Sequence, residues 1–346
     1  MPANTSSRSC TLWEIGRPRR APSANAGKSG ATSVRLRPFT ITTHPCTRDA
    51  IAEEDTEKFI LNTLASAGLI ALVAVGFSVI YSTVRFFHFA HGAVFTVSGY
   101  AFFWLITSGH LSPWAGVPIA VAMGGILGVL TELAVYRPLR CHDASGLVFL
   151  LASLGMFIVL ENLVILGFGE ETRVMRGGSV AEGLHVLGGH VTLVQLYTIV
   201  SSAILCSSTA FLLRFTQVGR IIRAVANDAE LAKCVGVDID SIILLVFGVG
   251  SALAAIAAIL MGYDVGLSPT MGFSVLLLGV VAAVVGGMGS VSGAVFGALL
   301  ISAAQNFTAW CLPTQWQDAI TFLILVVFLV LRPQGFFGKP LRKAAI

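Results

Sequence analysis

Charged residues are scarce in this chain of 346 residues: they account for 12% of it, against 55% for hydrophobic residues. A soluble domain of this size cannot bury so much apolar surface, so the composition indicates a membrane protein. Lys and Arg number 22 and Asp and Glu 18, which leaves a formal charge of only +4. Nucleic-acid binding requires a basic face that this balance does not provide. We therefore expect membrane lipid, and no nucleic acid, around the chain.

Catalytic and metal-binding motifs are also missing. The six cysteines include no C-x-x-C pair, so neither a disulfide framework nor a zinc site is predicted. Gly27-Lys28-Ser29 resembles the end of a P-loop, but Pro22 stands where its first glycine should be. The sequence also lacks an H-E-x-x-H motif. We expect no cofactor and no catalysis, so any energy from nucleotide must come from another polypeptide.

Long apolar runs are what the sequence has in abundance. A hydrocarbon core of roughly 30 Å requires about 20 apolar residues in a helix. Seven runs reach this length and are named at the end of this paragraph. Two other runs, Phe273–Val285 and Ile320–Leu331, are shorter and could be re-entrant. None alternates as a barrel strand would, so we predict an all-α polytopic membrane protein with about eight to nine transmembrane or re-entrant helices. The long runs are Phe59–Val84, Ala90–Thr107, Trp114–Tyr136, Gly146–Phe168, Leu193–Phe215, Ile242–Val265 and Val291–Cys311.

Basic residues between the runs predict which ends face the cytosol. They fall in the loop of Arg137 and Arg140, in residues 214–233 and in residues 332–343. Placing all three regions in the cytosol requires both short runs to cross, and it puts the N-terminus outside. We divide the chain into a disordered tail (1–58) that need not belong to the mature protein, a transmembrane domain (59–338) and a cytoplasmic tail (339–346).

A charged insert, Gly219–Ser241, separates two of the long runs. On one helix, Ile221, Ile222, Val225, Ala229 and Ala232 share a side, and Gly236 supplies a stop because glycine readily takes the left-handed conformation. The opposite side carries Arg223, Asn227, Glu230 and Cys234. Two interpretations follow: a helix resting on the membrane surface, or an amphipathic helix whose apolar side fits a groove on a cytosolic partner.

Isolated polar residues near or inside the runs are weaker signals. His88 and His91 have no third ligand nearby; a proton relay is conceivable, but we interpret the pair and Gly92 as a tight turn between spans. Glu161 and Asn162 form the best intramembrane polar pair, facing a translocation path or a partner helix. Glu132 is expected to reach the membrane interface or Arg137.

Glycines recur every four residues at Gly289, Gly293 and Gly297. This spacing predicts one helix face that lets a neighbouring helix approach closely, beside a broken-helix start. The same spacing occurs at Gly124–Gly128 and at Gly262–Gly266.

Taken in order, several segments resemble the permease subunit of branched-chain amino-acid ABC importers, the LivH-type family. The resemblance covers roughly Phe59–Gly338, and FAHG and RPQG favour the H-type over its M-type sister. The segments are FAHGAVF at Phe89–Phe95, VYRPLR at Val135–Arg140, SLGMFIVLENL at Ser153–Leu163, VTLVQL at Val191–Leu196, GRIIRAVANDAELAKCVGVD at Gly219–Asp238, VVGGMGSVSGAVFGALL at Val284–Leu300 and RPQGFFG at Arg332–Gly338.

The resemblance implies ABC importer permease architecture in a bacterial inner membrane. The implied partners are a second, M-type permease subunit, two cytoplasmic ATPase subunits and a periplasmic substrate-binding protein. Charge reversal at Arg223 or Ile222→Asp is then expected to spare folding but uncouple ATP hydrolysis from uptake. The insert would be the helix coupled to the ATPase, through Arg220, Ile222, Arg223, Val225, Asn227, Glu230 and Gly236.

The substrate stays open at this point. His88 stands where the family commonly has Asn, and Glu161 where Gln is common, which adds a possible charge inside the membrane. Branched-chain amino acids, urea, short amides and aromatic acids are all compatible with the resemblance. The alternative from another class is an ion-coupled secondary transporter or channel, whose signature would be converging acidic residues at the membrane midplane; only Glu161 qualifies.

Overall fold

The computed structural model describes residues 48–175, 183–186, 189–332 and 334–338. Most of the predicted N-terminal tail and the whole cytoplasmic tail lie outside these ranges. The helices are α1 (Arg48–Val84), α2 (Ala90–Thr107), α3 (Pro113–Thr131), α4 (Arg137–Cys141), α5 (Gly146–Phe168), α6 (Leu193–Phe215), α7 (Gln217–Asn227), α8 (Ala229–Cys234), α9 (Ile239–Asp264), α10 (Met271–Gly286), α11 (Val291–Cys311) and α12 (Gln317–Leu331). A π-helical turn (Glu132–Tyr136), a 3-10 turn (Thr314–Trp316) and an antiparallel hairpin, β1 (Gly183–Val186) with β2 (Gly189–Thr192), complete the described elements.

The predicted all-α polytopic fold is confirmed. Within the described ranges, eight helices are long and apolar enough to cross a membrane, and a ninth, α10, is shorter. Each long run of the sequence falls largely within one of them, because uninterrupted apolar composition leaves a helix as the one element that satisfies its own backbone in lipid. The run predicted as Ile320–Leu331 is the end of a longer apolar stretch, Thr314–Leu331.

Two helix boundaries differ from the sequence-based expectation by five residues or more. The first helix already begins at Arg48, so residues 48–58, which the sequence analysis assigns to a disordered tail, are helical. The third span does not end at Tyr136, because the π-helical turn continues it through α4 to Cys141. The extension carries Arg140 into the helical span and matters for the ion pairs described below.

Small residues let the central helices approach one another closely. The α1 helix packs against α9, α10 and α11, and α2 packs against α3, α5 and α9. Gly92 of α2 lies against Gly272 of α10, where a β-carbon on either glycine would clash with the other's backbone. Backbone contact of this kind replaces the hydrophobic driving force that helices lack in lipid.

The glycine-rich segment 286–297 is divided between a turn and a helix. Gly289 precedes α11 and has a φ of +84°, so it does not lie on a helix face as the spacing predicted. Its amide instead donates to Ser78 Oγ at 3.0 Å, which fixes the turn to α1. Gly293 and Gly297 do lie on α11, where they contact the backbones of Gly286 and Ala282. The four-residue spacing identified two of the three packing positions.

The short α10 helix connects the two ends of the bundle. It starts just after Leu267, which pairs with Arg173 beyond the end of α5. At its other end, the amides of Phe336 and Phe337 donate to the carbonyls of Val285 and Gly286 at 3.0 and 2.9 Å. Phe336 and Phe337 therefore cover free carbonyls at the end of α10.

Candidate functional site at the charged end of the bundle

The charged insert forms two consecutive helices, α7 and α8, and not the single helix expected from its pattern. Thr216 begins α7, its Oγ1 accepting from the amide of Gly219 at 3.1 Å. Asp228 interrupts the helix in an extended conformation and caps α8, because its Oδ1 accepts from the amide of Leu231 at 3.0 Å. Gly236 follows α8 with a φ of +85°, which agrees with its predicted role as a stop. We call residues 217–236 the α7–α8 segment.

The apolar side of this segment faces the protein itself. Ile222, Val225 and Ala232 are 5%, 3% and 4% exposed. Ile222 belongs to the main apolar cluster together with residues of α1 and α9. The prediction that this side fits a groove on a partner is therefore wrong for Ile222 and Val225. Periodicity located the buried stripe but carries no information about which protein covers it.

The outward side of the segment combines charge with two apolar side chains. Arg223, Asn227, Glu230 and Cys234 are exposed, as the helical pattern predicted, and Arg220 is exposed as well. Beside them, Leu231 and Val235 are 65% and 77% exposed. These two residues are four positions apart and come from the end of the segment farthest from α6. Leu231 and Val235 are thus apolar side chains that no other described part of the protein covers.

Contacts from other elements hold the segment against the bundle. Arg85, just after α1, donates through Nη2 to the carbonyl of Ala226 at 2.6 Å and satisfies the C-terminal end of α7. Arg223 donates through Nη2 to the carbonyl of Arg214 at 3.3 Å. At the start of α9, hydrogen bonds from the Ser241 hydroxyl and amide lower the pKa of the Asp238 carboxyl, which caps this helix. The hydrogen bonds of Arg85 and Arg223 tie the segment to the end of α1 and to α6.

A cluster of ion pairs lies at the end of the third span that contains Arg137 and Arg140. Arg140 Nη2 donates to Glu132 Oε1 and lies 3.5 Å from Asp240 Oδ1, while Arg137 Nη2 lies 3.3 Å from Asp240 Oδ2. Glu132 therefore pairs with Arg140 and not with Arg137, because the π-helical turn and α4 bring Arg140 back over it. The side chain of Glu132 is fully buried, whereas those of Arg140 and Asp240 are 28% and 44% exposed.

The histidine pair is an interior feature of the bundle. His88 Nδ1 lies 2.9 Å from the hydroxyl of Tyr136, and the His88 and His91 rings are 5.9 Å apart. Both histidines are fully buried, and within the described ranges no cluster of three potential ligands could hold a metal. The chain reversal that the sequence analysis assigned to the histidines and Gly92 falls at residues 85–89, since His91 and Gly92 are part of α2.

Glu161 and Asn162 lie on α5, far from the α7–α8 segment. Glu161 is partly exposed and Asn162 exposed. Asn162 Nδ2 donates to the carbonyl of Ile158 within its own helix at 2.8 Å. The structure therefore separates the predicted site residues into the α7–α8 segment, the buried histidines, the α10–α11 glycines and this pair on α5.

Sequence reasoning missed several residues that shape the charged end. Arg85 and Asp240 contribute through contacts between distant parts of the chain, which no local pattern shows. Asp228 did carry a signal, because an Asp three residues before the Leu231 amide fits an N-cap. Leu231 and Val235 also carried a signal, because they are apolar but do not belong to the apolar side formed by Ile222 and Val225.

Known proteins are similar to this chain over most of its length. A family model described as the branched-chain amino acid transport system / permease component matches residues 59–329. The high-affinity branched-chain amino acid transport system permease protein LivH of Escherichia coli is 30% identical over 296 residues, covering 81% of this chain and 95% of that protein. Its counterpart BraD of Pseudomonas aeruginosa is 31% identical over 295 residues, with the same coverage of 81% and 95%.

A solved structure is also similar. PsaBC from Streptococcus pneumoniae in complex with Fab covers 83% of this chain and 96% of its own, at 11% sequence identity and a TM-score of 0.49.

Proposed function

Because this chain belongs to the branched-chain amino acid transport permease family, we propose that it is the membrane-spanning subunit of an ATP-binding-cassette importer for branched-chain amino acids. A second, M-type permease would complete the pathway, and a periplasmic binding protein would deliver the substrate at the outer side of the bacterial inner membrane. Two cytoplasmic ATPase subunits would supply the energy. The permease itself performs no chemistry.

One observation supports the proposal: the α7–α8 segment is anchored to the bundle and presents an exposed, charged face. Its inward residues pack on the protein's own spans, and its outward residues leave Leu231 and Val235 uncovered. Apolar side chains exposed to water at a charged surface gain most when a partner covers them. We propose that this outward face docks on an ATPase subunit, with Arg220, Arg223, Asn227 and Glu230 forming its polar rim.

Existing contacts would transmit a movement of the α7–α8 segment to the transmembrane helices. Arg85 links the end of α7 to α1, and Asp240 links the start of α9 to Arg137 and Arg140 of the third span. A displacement of the segment on ATPase closure would therefore act on α1, α9 and the third span together. Such a rigid-body shift of a packed element is an ordinary means of switching between two conformations.

Changing Leu231 and Val235 to Ser is expected to weaken ATPase binding about tenfold or more, as for exposed anchors at the centre of an interface. The permease should fold normally, because neither side chain is buried. The measurement is the amount of ATPase that co-purifies with the permease, together with ATP-dependent leucine uptake. Val174→Ser provides a matched control. Val174 is also an exposed apolar residue, with 57% of its surface accessible, but it lies in the loop after α5 and not in the α7–α8 segment.

Full ATPase binding and full uptake by the Leu231→Ser/Val235→Ser variant would contradict docking at this face. Leucine uptake that survives depletion of ATP but stops when the ion gradient is dissipated would contradict the importer assignment itself. In that case, the ion-coupled secondary transporter would replace it.

A further inference from the structure

The connection between α1 and α2, residues 85–89, carries two side chains that reach different parts of the charged end. Arg85 donates to the carbonyl of Ala226 at the end of α7. His88 Nδ1 lies 2.9 Å from the hydroxyl of Tyr136, the last residue of the π-helical turn in the third span. One short connection therefore joins the α7–α8 segment to the third span.

Arg85 holds an unfavourable backbone conformation at the start of this connection. Its φ is +57°, in the left-handed region that residues other than glycine rarely adopt. Its amide donates to the carbonyl of Tyr81 at 2.9 Å, and its guanidinium donates to that of Ala226. Strained conformations of this kind persist only where surrounding contacts hold them, and they cluster in switch regions. The position of the connection therefore depends on its contact with α7.

His88 is fully buried near the other end of the connection. Among the described residues, its Nδ1 has the Tyr136 hydroxyl as hydrogen-bond partner, and its Nε2 has none. Uncharged aromatic rings and a second imidazole surround it. Measured between ring centroids, His88 lies 5.0 Å from Phe247 of α9, 5.4 Å from Tyr136, 5.9 Å from His91 of α2 and 6.4 Å from Phe86.

Within the described part of the chain, no carboxylate pairs with His88. The titratable group that faces it from α2 is His91, whose protonation would add a second positive charge. On the third span, Glu132 lies four residues before Tyr136, but it is paired with Arg140. Burial and the neighbouring His91 accordingly lower the pKa of His88 well below its usual value of about 6.5, so the ring is neutral at pH 7.

We propose that His88 is a positioning residue for coupling, which passes a displacement of the α7–α8 segment from Arg85 to Tyr136 and the third span, and that protonation of His88 breaks this link. The inference rests on the proposed importer function. A protonated ring would be a buried charge with no acceptor for its Nε2 proton, so the connection must open to bring it to water. Acid therefore favours the open, uncoupled junction about tenfold for each pH unit between about 6.5 and the lower pKa of the buried ring.

The test is the ratio of leucine imported to ATP hydrolysed by the full-length permease with its ATPase subunits and binding protein in proteoliposomes, at equal pH on both sides. Between about pH 7.5 and about pH 5.5, the wild-type ratio should fall about threefold or more, because the junction opens as His88 takes up a proton. His88→Asn keeps a side chain that donates and accepts hydrogen bonds but does not titrate, so its ratio should stay constant. His142→Asn is the matched control, since His142 is an exposed histidine outside the junction, and it should retain the wild-type fall.

The melting temperature of the purified permease supplies a measurement that does not depend on transport. It should fall more over the same pH range for wild type than for His88→Asn, because the unfolded chain takes up the proton that the buried ring resists. The same pH dependence of wild type and His88→Asn would overturn the inference, and so would a loss of coupling by His88→Asn that is equal at every pH, since that loss would be structural. Absence of leucine uptake by the wild type at every pH, with the difference in melting temperature retained, would contradict the importer function and leave the pH-sensitive junction standing.

Discussion

Replacing Ile222 by Asp is expected to abolish stable folding of the permease. Ile222 is 5% exposed and packs in the main apolar cluster, so the new carboxylate would be buried without a counter-charge. An uncompensated buried charge costs about 3–5 kcal/mol, a large part of the stability of an ordinary domain. The measurement is the yield and melting temperature of the purified variant in detergent.

This expectation reverses the one drawn from the sequence, in which Ile222→Asp spares folding and affects coupling alone. Two control variants separate an effect on folding from an effect on coupling. Ile222→Val removes one methylene and should cost only about 0.5–1.5 kcal/mol. Arg223→Glu changes an exposed residue of the same helix and should lower the melting temperature far less than Ile222→Asp while reducing ATP-dependent uptake. A folded Ile222→Asp variant with normal stability would show that this side of α7 does not pack on the bundle.

Replacing Arg140 by Met is expected to destabilise the protein by about 3–5 kcal/mol, because it leaves the Glu132 carboxylate buried without its partner. The reverse change, Glu132→Gln, should cost less. Arg140 is 28% exposed and keeps Asp240 nearby, so its charge remains partly solvated. The predicted asymmetry follows directly from the difference in burial between the two partners.

The double variant Glu132→Gln/Arg140→Met supplies the decisive comparison. It removes both charges, so its melting temperature should recover most of the loss seen with Arg140→Met. Asp240→Asn is the control for the exposed part of the cluster, and an exposed pair contributes about 1 kcal/mol or less. Equal melting temperatures for Arg140→Met and the double variant would contradict a buried ion pair between Glu132 and Arg140.

The spans were predictable because composition alone constrains them. An apolar run in a chain this poor in charge has few structural options, so α2, α5, α6 and α11 begin and end where the sequence indicates. The short α10 helix was ambiguous by length. Its far end is covered by Phe336 and Phe337, which lie outside the run itself and which no pattern within the run indicates.

The charged end was only partly predictable for a different physical reason. Helical periodicity separates the apolar side from the polar side, and it correctly grouped Ile222 with Val225. It does not show whether the apolar side packs on the same chain or on a partner. Likewise, the pairing of Glu132 with Arg140 depends on a π-helical turn that shifts the register, and the contact of Arg85 with α7 joins segments far apart in sequence.

The central claim is that the α7–α8 segment faces the cytosol and docks an ATPase, and thiol labelling of Cys234 tests it most directly. Cys234 is an exposed free cysteine at the end of α8, and a single-cysteine variant retaining it can be probed with a membrane-impermeant maleimide. A variant retaining only Cys311, exposed at the opposite end of the bundle, reports the other side. We expect Cys234 to react in inside-out vesicles, to be protected when the ATPase subunits are bound, and to remain unlabelled in intact spheroplasts, where Cys311 reacts. Labelling of Cys234 in intact spheroplasts, or labelling in inside-out vesicles that bound ATPase does not slow, would contradict the account.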